Sequence, residues 1–536
     1  MRRDLKRLAD ECFDLLVIGG GITGAAIARD AALRGLLVAL VEKDDFAGAT
    51  SAHNSKLIHG GLRYLRNREF GLVRESLRER RIWQRIAPHL VRPLPFLIPV
   101  FDDGLRTRLV LGAGLGLYDL LSFDRGWLAD PDQRLPGHAW LDRRAAIAAE
   151  PALASRNLAG AFRYYDAQMY SPERLALECV LDAADNGAVP ANHLAAQSLL
   201  RRGDSVEGAS VRDTITGDVF DVRASLTIVA VGPWADQFLS GRLHGQHRLL
   251  LSKGIHLVMA QRMHGHALTV AAEHGHFFVL PWRNSTILGT TDTPFDGNAD
   301  CVSVDETEIE TFLAGVNTHL PAAAFERSQL RATYAGLRPL VADGSHDTYD
   351  ASRHAELTDH ARRDRVTGLI SAIGGKWTTS RHLAEKVVDM ASAKLGRRVE
   401  RSSTANRRLP GAVDRITQWP AGAEAFPDPG RLARLYGARI PALTALATKQ
   451  PALGLPMGMR GDIGAQVILA IREEMALTLE DVVMRRTGIG QEGHPGPDTL
   501  EAVATIVASE LGWSEIRKRA EIDALVPFFR TSRSDT

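Results

Sequence analysis

The sequence predicts an α/β fold in three parts: a layer built on a parallel sheet, a domain with antiparallel sheet, and a C-terminal helical domain. Three observations carry this. Residues 13–18 (FDLLVI) are a continuous apolar run of the kind buried in parallel sheets, and a glycine cluster follows at once. Short apolar runs bounded by turn residues recur at 226–231, 277–280, 286–288 and 369–373, the middle pair alternating as antiparallel strands do. Beyond Leu409-Pro410-Gly411 the pattern turns helical, as at 463–483 and 499–511. A length of 536 residues agrees with about three domains.

The first unit reads element by element. After the strand at 13–18, Gly19, Gly21 and Gly24 fit G-x-G-x-x-G. An alanine-rich helix follows at 25–33, Gly35 stands where a helix ends, and 36–41 is a second strand closed by Glu42. This is the Rossmann-like dinucleotide pattern. The first glycine makes a tight turn, the second admits a pyrophosphate against the backbone, and the third lets helix and strand pack closely. The helix N-terminus offers unpaired N–H groups to the anion. Glu42 is placed to accept hydrogen bonds from a ribose, and an acid there disfavours a 2′-phosphate. The unit alone does not choose between FAD and NAD.

The next segment does. Thr50-Ser51 leads through Ser55-Lys56-Leu57-Ile58-His59-Gly60-Gly61-Leu62-Arg63-Tyr64-Leu65, a polar, glycine-hinged stretch. It resembles the signature of the FAD-dependent glycerol-3-phosphate dehydrogenases of the aerobic, quinone-linked type. Further blocks agree in order: Ser252-Lys253-Gly254-Ile255-His256, Leu288-Gly289-Thr290-Thr291-Asp292, Gly336-Leu337-Arg338-Pro339-Leu340 and Gly374-Gly375-Lys376-Trp377-Thr378-Thr379. A stretch from Arg472 to Thr487 resembles the family's helical C-terminal domain, so the similarity spans about residues 12–520. The resemblance implies non-covalent FAD held by Gly19, Gly21, Gly24, Glu42, Thr50, Ser51, Lys56, Leu57, His59, Gly232, Gly375, Lys376 and Thr378. It implies oxidation of sn-glycerol 3-phosphate to dihydroxyacetone phosphate, with the electrons passed to a quinone. Arg63, Tyr64, His256, Arg338, Arg353 and Lys376 then line the substrate pocket. Guanidinium groups suit a phosphate dianion because they bind its oxygens bidentately.

Hydride loss from a secondary alcohol leaves a hydroxyl proton to remove, and a base lowers that barrier. His59 is the first candidate and His256 the second. Lys376 is the alternative catalytic group, polarising the hydroxyl or holding the reduced flavin's negative charge from a helix that starts near it. Thr378 and Thr379 are placed to cap that helix or touch the ring. The chain departs from the family in places. Ser171-Pro172-Glu173-Arg174-Leu175 moves an acid relative to the usual Asp-Ala-Arg-Leu, Arg353-His354-Ala355 lacks an Asp-Tyr pair, and Trp377 and Ser380 replace a leucine and a tyrosine. An oxygen-reducing oxidase and a flavin-binding regulatory protein without catalysis are the rival readings.

Lys and Arg total 65 against 64 Asp and Glu, so no global field draws nucleic acid. Three scattered cysteines, Cys12, Cys179 and Cys301, exclude a disulfide framework, fit a reducing compartment and read as small buried residues. No His, Cys or Asp spacing suggests a metal. No apolar stretch reaches bilayer length, since residues 109–121 are too short. Nine arginines against three glutamates at 63–92, with Trp83, Phe96, Leu97 and Phe101 near them, suggest a basic, partly apolar surface facing an anionic membrane. The expected setting is cytoplasmic, peripheral on the inner face of the cell membrane, and compatible with a homodimer. Prolines 88, 93, 95 and 99 predict a loop. The expected domains are FAD-binding at 12–90, 150–240 and 345–398, substrate-binding at 91–149 and 241–344, and helical at 399–530.

Overall fold

The computed structural model describes residues 1–101, 105–240, 249–272, 275–341, 355–414, 422–458, 460–529 and 531. Its first layer is an eight-stranded sheet whose spine runs Ala355–Asp359, Leu369–Gly374, Val219–Val229, Cys12–Ile18, Val38–Val41, Val189–Ala191. All junctions along the spine are parallel except the edge strand Ala355–Asp359. A hairpin of Leu194–Arg202 and Ser205–Asp213 adds antiparallel to Val219–Val229. The apolar run of the first strand is explained by burial on both faces: Leu15 and Val17 enter one core, Phe13, Leu16 and Ile18 the other. Helix Ile22–Leu33 is buried nearly throughout, wedged between Pro172–Asp185 and Ser380–Lys394. Its alanines permit that close approach.

The second layer is a ten-stranded, mostly antiparallel sheet. Leu249–Ala260 pairs along its length with Leu330–Val341, and on its other edge with Ser285–Gly289. The sheet continues through Gly275–Trp282, Ala267–Ala272, Val91–Phe101, Leu158–Met169 and Leu57–Ile58. Two expectations change here. Residues 91–101 are a strand and not a loop, because Pro93, Pro95 and Pro99 fall on alternate positions. Their missing N–H groups all point to one edge, so the ladder to Leu158–Met169 survives on the other. And Leu158–Met169, within the 150–240 segment assigned above to the nucleotide domain, belongs to this second sheet. The 345 boundary and Arg353 lie outside the described residues.

The expected basic apolar surface also moves. Trp83, Phe96 and Leu97 are buried, and Arg80 is buried against Asp166. A cluster of solvent-facing apolar side chains lies instead on and just after helix Leu105–Leu121: Leu109, Val110, Leu120, Phe123 and Trp127, with Phe70. Among the described residues no helix is long and apolar enough to cross a membrane. Of the cysteines only Cys179 is buried, while Cys12 and Cys301 are exposed.

The C-terminal region supplies helices Pro429–Tyr436, Ile440–Lys449, Gly464–Glu474, Pro497–Leu511 and Glu515–Phe529. It docks on the first layer through buried ion pairs, Arg174 with Glu474 at 2.9 Å and Arg486 with Asp45.

Candidate active site

A cavity of about 2100 Å³ is lined from both layers. One end is the glycine turn. Gly19 has φ +107°, and a Cβ on Gly24 would sit 1.8 Å from the Gly19 carbonyl oxygen, so the turn and the first helix touch only because both are glycine. Ser51 Oγ accepts the Ile22 N–H at 2.9 Å, tying the following loop to the helix N-terminus. Glu42 accepts the Gly20 N–H at 2.6 Å and the Asp44 N–H at 3.0 Å. Burial raises its pKa, and those two N–H groups oppose the rise. Gly232, at φ +55°, opens the turn Gly232–Trp234 on the same wall.

The middle of the cavity is walled by residues 53–59. Thr50 Oγ1 donates to the Leu337 carbonyl at 2.7 Å, and Tyr334 donates to the Asn54 carbonyl at 3.0 Å, so this loop is sewn to strand Leu330–Val341. Leu57 lines the cavity. Lys56 does not: its ammonium turns away into a buried ion pair with Glu173 at 2.9 Å. The shifted acid of Ser171-Pro172-Glu173 is thus the partner of Lys56.

The far end gathers the charged groups. Arg63, Tyr64, His59, His256, His276, Arg338, Gly375, Lys376 and Thr378 all border it. Lys376 Nζ lies 4.1 Å from the Tyr64 ring centre and donates to Ser76 Oγ at 2.8 Å. The Arg63 guanidinium lies 5.0 Å from the same ring. Gly61, at φ +74°, has no room for a Cβ beside that ring, which would stand 2.2 Å away. Arg338 donates to Ser252 Oγ at 2.9 Å and Thr290 Oγ1 at 2.8 Å, beside Asp292. The glycine of Ser252-Lys253-Gly254 leaves the Arg338 guanidinium where it is, since a Cβ there would meet it at 2.2 Å and push it aside.

Burial lowers the Lys376 pKa, and nearby Arg63 adds to this against Tyr64 and Glu75. Burial, then Lys376, Arg63, His276 and Arg80, push the His59 imidazole down to about 3, so it is neutral near pH 7. The His59 N–H donates to Thr378 Oγ1 at 3.2 Å, and the next N–H, Gly60, donates to Asp166 at 3.2 Å. His256 stacks on Tyr334 at 4.8 Å with Nε2 2.9 Å from Ser55 Oγ, and burial holds its pKa well below the usual histidine value. The helix after Lys376 starts later than expected. A 3-10 turn Trp377–Thr379 precedes Ser380–Lys394, and neither Thr378 nor Thr379 caps it with a side chain.

Sequence reading missed His276. It sits one step before the predicted strand at 277–280, and period two puts it on the face of Phe278, 5.0 Å from that ring. Burial, then Arg63 and Arg338, lower its pKa to about 4. Arg80 and Asp166 were missed as well; they are buried supports beneath Gly60.

Comparison with known proteins places this cleft. Residues 14–390 match the family described as FAD dependent oxidoreductase, and residues 402–518 match the C-terminal domain of alpha-glycerophosphate oxidase. The chain is 37% identical to a glycerol-3-phosphate dehydrogenase of Synechocystis, covering 96% of this chain and 95% of that one. It belongs to the FAD-dependent glycerol-3-phosphate dehydrogenase family. A second relative in that family, glycerol-3-phosphate dehydrogenase 2 of Mycobacterium tuberculosis, is 37% identical over 95% of this chain and 86% of its own. The solved glycerol-3-phosphate dehydrogenase of Bacillus halodurans, complexed with FAD, superposes with TM-score 0.76 at 27% identity, over 98% of this chain and 95% of that one. The cofactor of the family is FAD, and the glycine cradle, Glu42 and the cleft volume fit it. Gly19, Gly21, Glu42 and Ser51 border the end suited to the dinucleotide, and Leu57, Gly375 and Thr378 the end nearer the cationic cluster. Gly24 does not border the cavity; it packs behind the turn against the Gly19 carbonyl.

Proposed function

We propose that the protein oxidises sn-glycerol 3-phosphate at C2 to dihydroxyacetone phosphate and passes the electrons to a quinone. The observation that carries this reading is the gathering of Arg63, Arg338, Lys376 and three histidines, His59, His256 and His276, in the lining of the cofactor cleft. When bound, FAD supplies the hydride acceptor. Arg63 and Arg338 bind the phosphate dianion, and the Tyr64 ring lies beside both Arg63 and Lys376. Lys376 polarises the C2 hydroxyl. His59, neutral at working pH, takes the hydroxyl proton on its unprotonated ring nitrogen as C2 loses its hydride. The products are a ketone, a reduced cofactor and a protonated imidazole, which balances the two electrons and two hydrogens removed.

Apolar side chains in the cleft lining support quinone as acceptor. Leu62, Phe96, Ile98, Leu111 and Tyr164 are among them, and Leu111 belongs to the helix Leu105–Leu121 whose outer side chains face solvent. Arg66, Arg68, Arg106 and Arg108 are exposed around that helix, so the surface matches an anionic bilayer at the cytoplasmic face. The match of the C-terminal region to alpha-glycerophosphate oxidase favours oxygen as the second reading. Anaerobic addition of glycerol 3-phosphate to the FAD-loaded protein is expected to bleach the flavin absorbance. A flavin unchanged by this or any other polyol phosphate overturns the reading. Reoxidation by a short-chain quinone without peroxide separates the dehydrogenase from the oxidase.

A further inference from the structure

We infer that the C-terminal helical domain clamps the adenosine end of the FAD cleft, acting through Asp45. The route is continuous. Glu42 holds the Gly20 and Asp44 N–H groups. The chain beyond it is pinned by the His193 N–H on the Asp44 carbonyl at 2.6 Å and the Leu194 N–H on the Glu42 carbonyl at 2.7 Å. Asp45 then turns inward and is buried. Arg485 Nε reaches its Oδ2 at 2.7 Å and Arg486 reaches its Oδ1 at 2.6 Å, both from the C-terminal region. Arg485 also donates to Asp481 Oδ1 at 2.8 Å, and Asp481 Oδ2 lies 2.9 Å from His193 Nε2. His193 is therefore held by the domain through its ring and by the nucleotide loop through its backbone.

Asp45, His193 and Asp481 lie close enough together to resemble a metal triad. The arginines take both oxygens of Asp45 and Oδ1 of Asp481, while the Leu477 and Thr478 N–H groups donate to Asp481 Oδ2, so the cluster is an ion-pair network. Two features separate a clamp from ordinary domain docking. Arg485 borders the cleft itself, together with Thr478, Glu480 and Glu521 of the same region. A second docking contact, Glu492 with the Asn284 N–H and Ser285 Oγ at 3.2 Å, does not border it. The domain thus borders the cleft through the 478–485 segment and helix Glu515–Phe529, and only the first of these also holds Asp45. Arg485, Asp481 and His193 are positioning residues, working on FAD through the loop that carries Glu42.

The test is the FAD dissociation constant of the full-length apoprotein, followed by quenching of flavin fluorescence. Arg485→Lys and Asp481→Asn are each expected to weaken FAD by about tenfold, the scale of one charge-assisted hydrogen bond. Glu492→Gln, which loosens docking without touching Asp45, is expected to stay within about twofold of the unsubstituted protein. Unchanged affinity in Arg485→Lys, or equal weakening in Glu492→Gln, overturns the proposal. If Arg485→Lys fails to fold, His193→Gln reads the same effect from the other side of the network, and an unchanged constant there overturns it too.

Discussion

Between pH 5 and 9 His59 carries no charge in the free protein, and this dictates the shape of the pH–rate curve. Its imidazole is pushed down to about 3 by burial and by Lys376, Arg63, His276 and Arg80. At pH 5 about 99% of it is therefore already the neutral, proton-accepting form. An acid limb in kcat/KM above pH 5 then has to come from the substrate. A phosphate monoester has a second pKa of about 6, so its dianion falls from about 90% at pH 7 to about 10% at pH 5. Arg63 and Arg338 favour that dianion, so kcat/KM should drop about tenfold over this interval with a midpoint near 6. The assay is steady-state turnover with an artificial acceptor, repeated with His59→Asn and with a phosphonate analogue of different second pKa. His59→Asn should lose about 10²–10⁴-fold in kcat and keep the midpoint. The midpoint should move with the analogue. A midpoint that ignores the analogue, or disappears in His59→Asn, would refute the assignment of a neutral base beside a dianion site.

Other outcomes follow from the same geometry. Glu173→Gln strands the buried Lys56 ammonium and should lower stability by about 3–5 kcal/mol in urea unfolding, whereas removing both partners together should lower it far less. Burial raises the Glu173 pKa but Lys56 lowers it further, so this pair stabilises above the ordinary carboxylate range and is lost as pH falls below it; a pair contribution that grew under acid would contradict the assignment. Gly24→Ala drives a Cβ to 1.8 Å from the Gly19 carbonyl and should yield protein with a low flavin-to-protein absorbance ratio, against which a normal ratio would count. Phe123→Ser with Trp127→Ser should weaken sedimentation with anionic vesicles at least tenfold, since each aromatic is worth about 1.5–3 kcal/mol on burial, and unaltered sedimentation would remove the segment after helix Leu105–Leu121 from the membrane face.

What sequence could reveal divided along physical lines. The glycine turn, Glu42 and the strand-end motifs were legible because backbone geometry dictates residue type there: only glycine fits against the Gly19 carbonyl at 24, or in the left-handed backbone beside the Tyr64 ring at 61. Lys56 sits inside the most recognisable motif, yet its left-handed backbone, φ +57°, sends the side chain to Glu173, and a motif string carries no direction. His276 was invisible because its importance comes from Arg63 and Arg338, which are remote in sequence. The proline-rich strand misled because proline breaks a ladder on one edge only, and which edge is paired is a property of the sheet. The solvent-facing apolar helix was seen as a length too short to span, but its outer face emerged only once its inner face had a partner.

The weaving of the chain between layers has a cost during synthesis. The first strand, Cys12–Ile18, waits for its neighbour Val219–Val229, and that strand waits in turn for Leu369–Gly374. At about 5–20 residues per second a ribosome needs about 20–70 s to bridge the interval. For that time the nascent chain presents one unsatisfied edge of a sheet begun by Cys12–Ile18 and Val38–Val41, and oily faces outside the exit tunnel. Holding chaperones, slow codons or early FAD capture are the means a cell has to guard such a chain, and yield in a foreign host should respond to them more than to any single surface substitution.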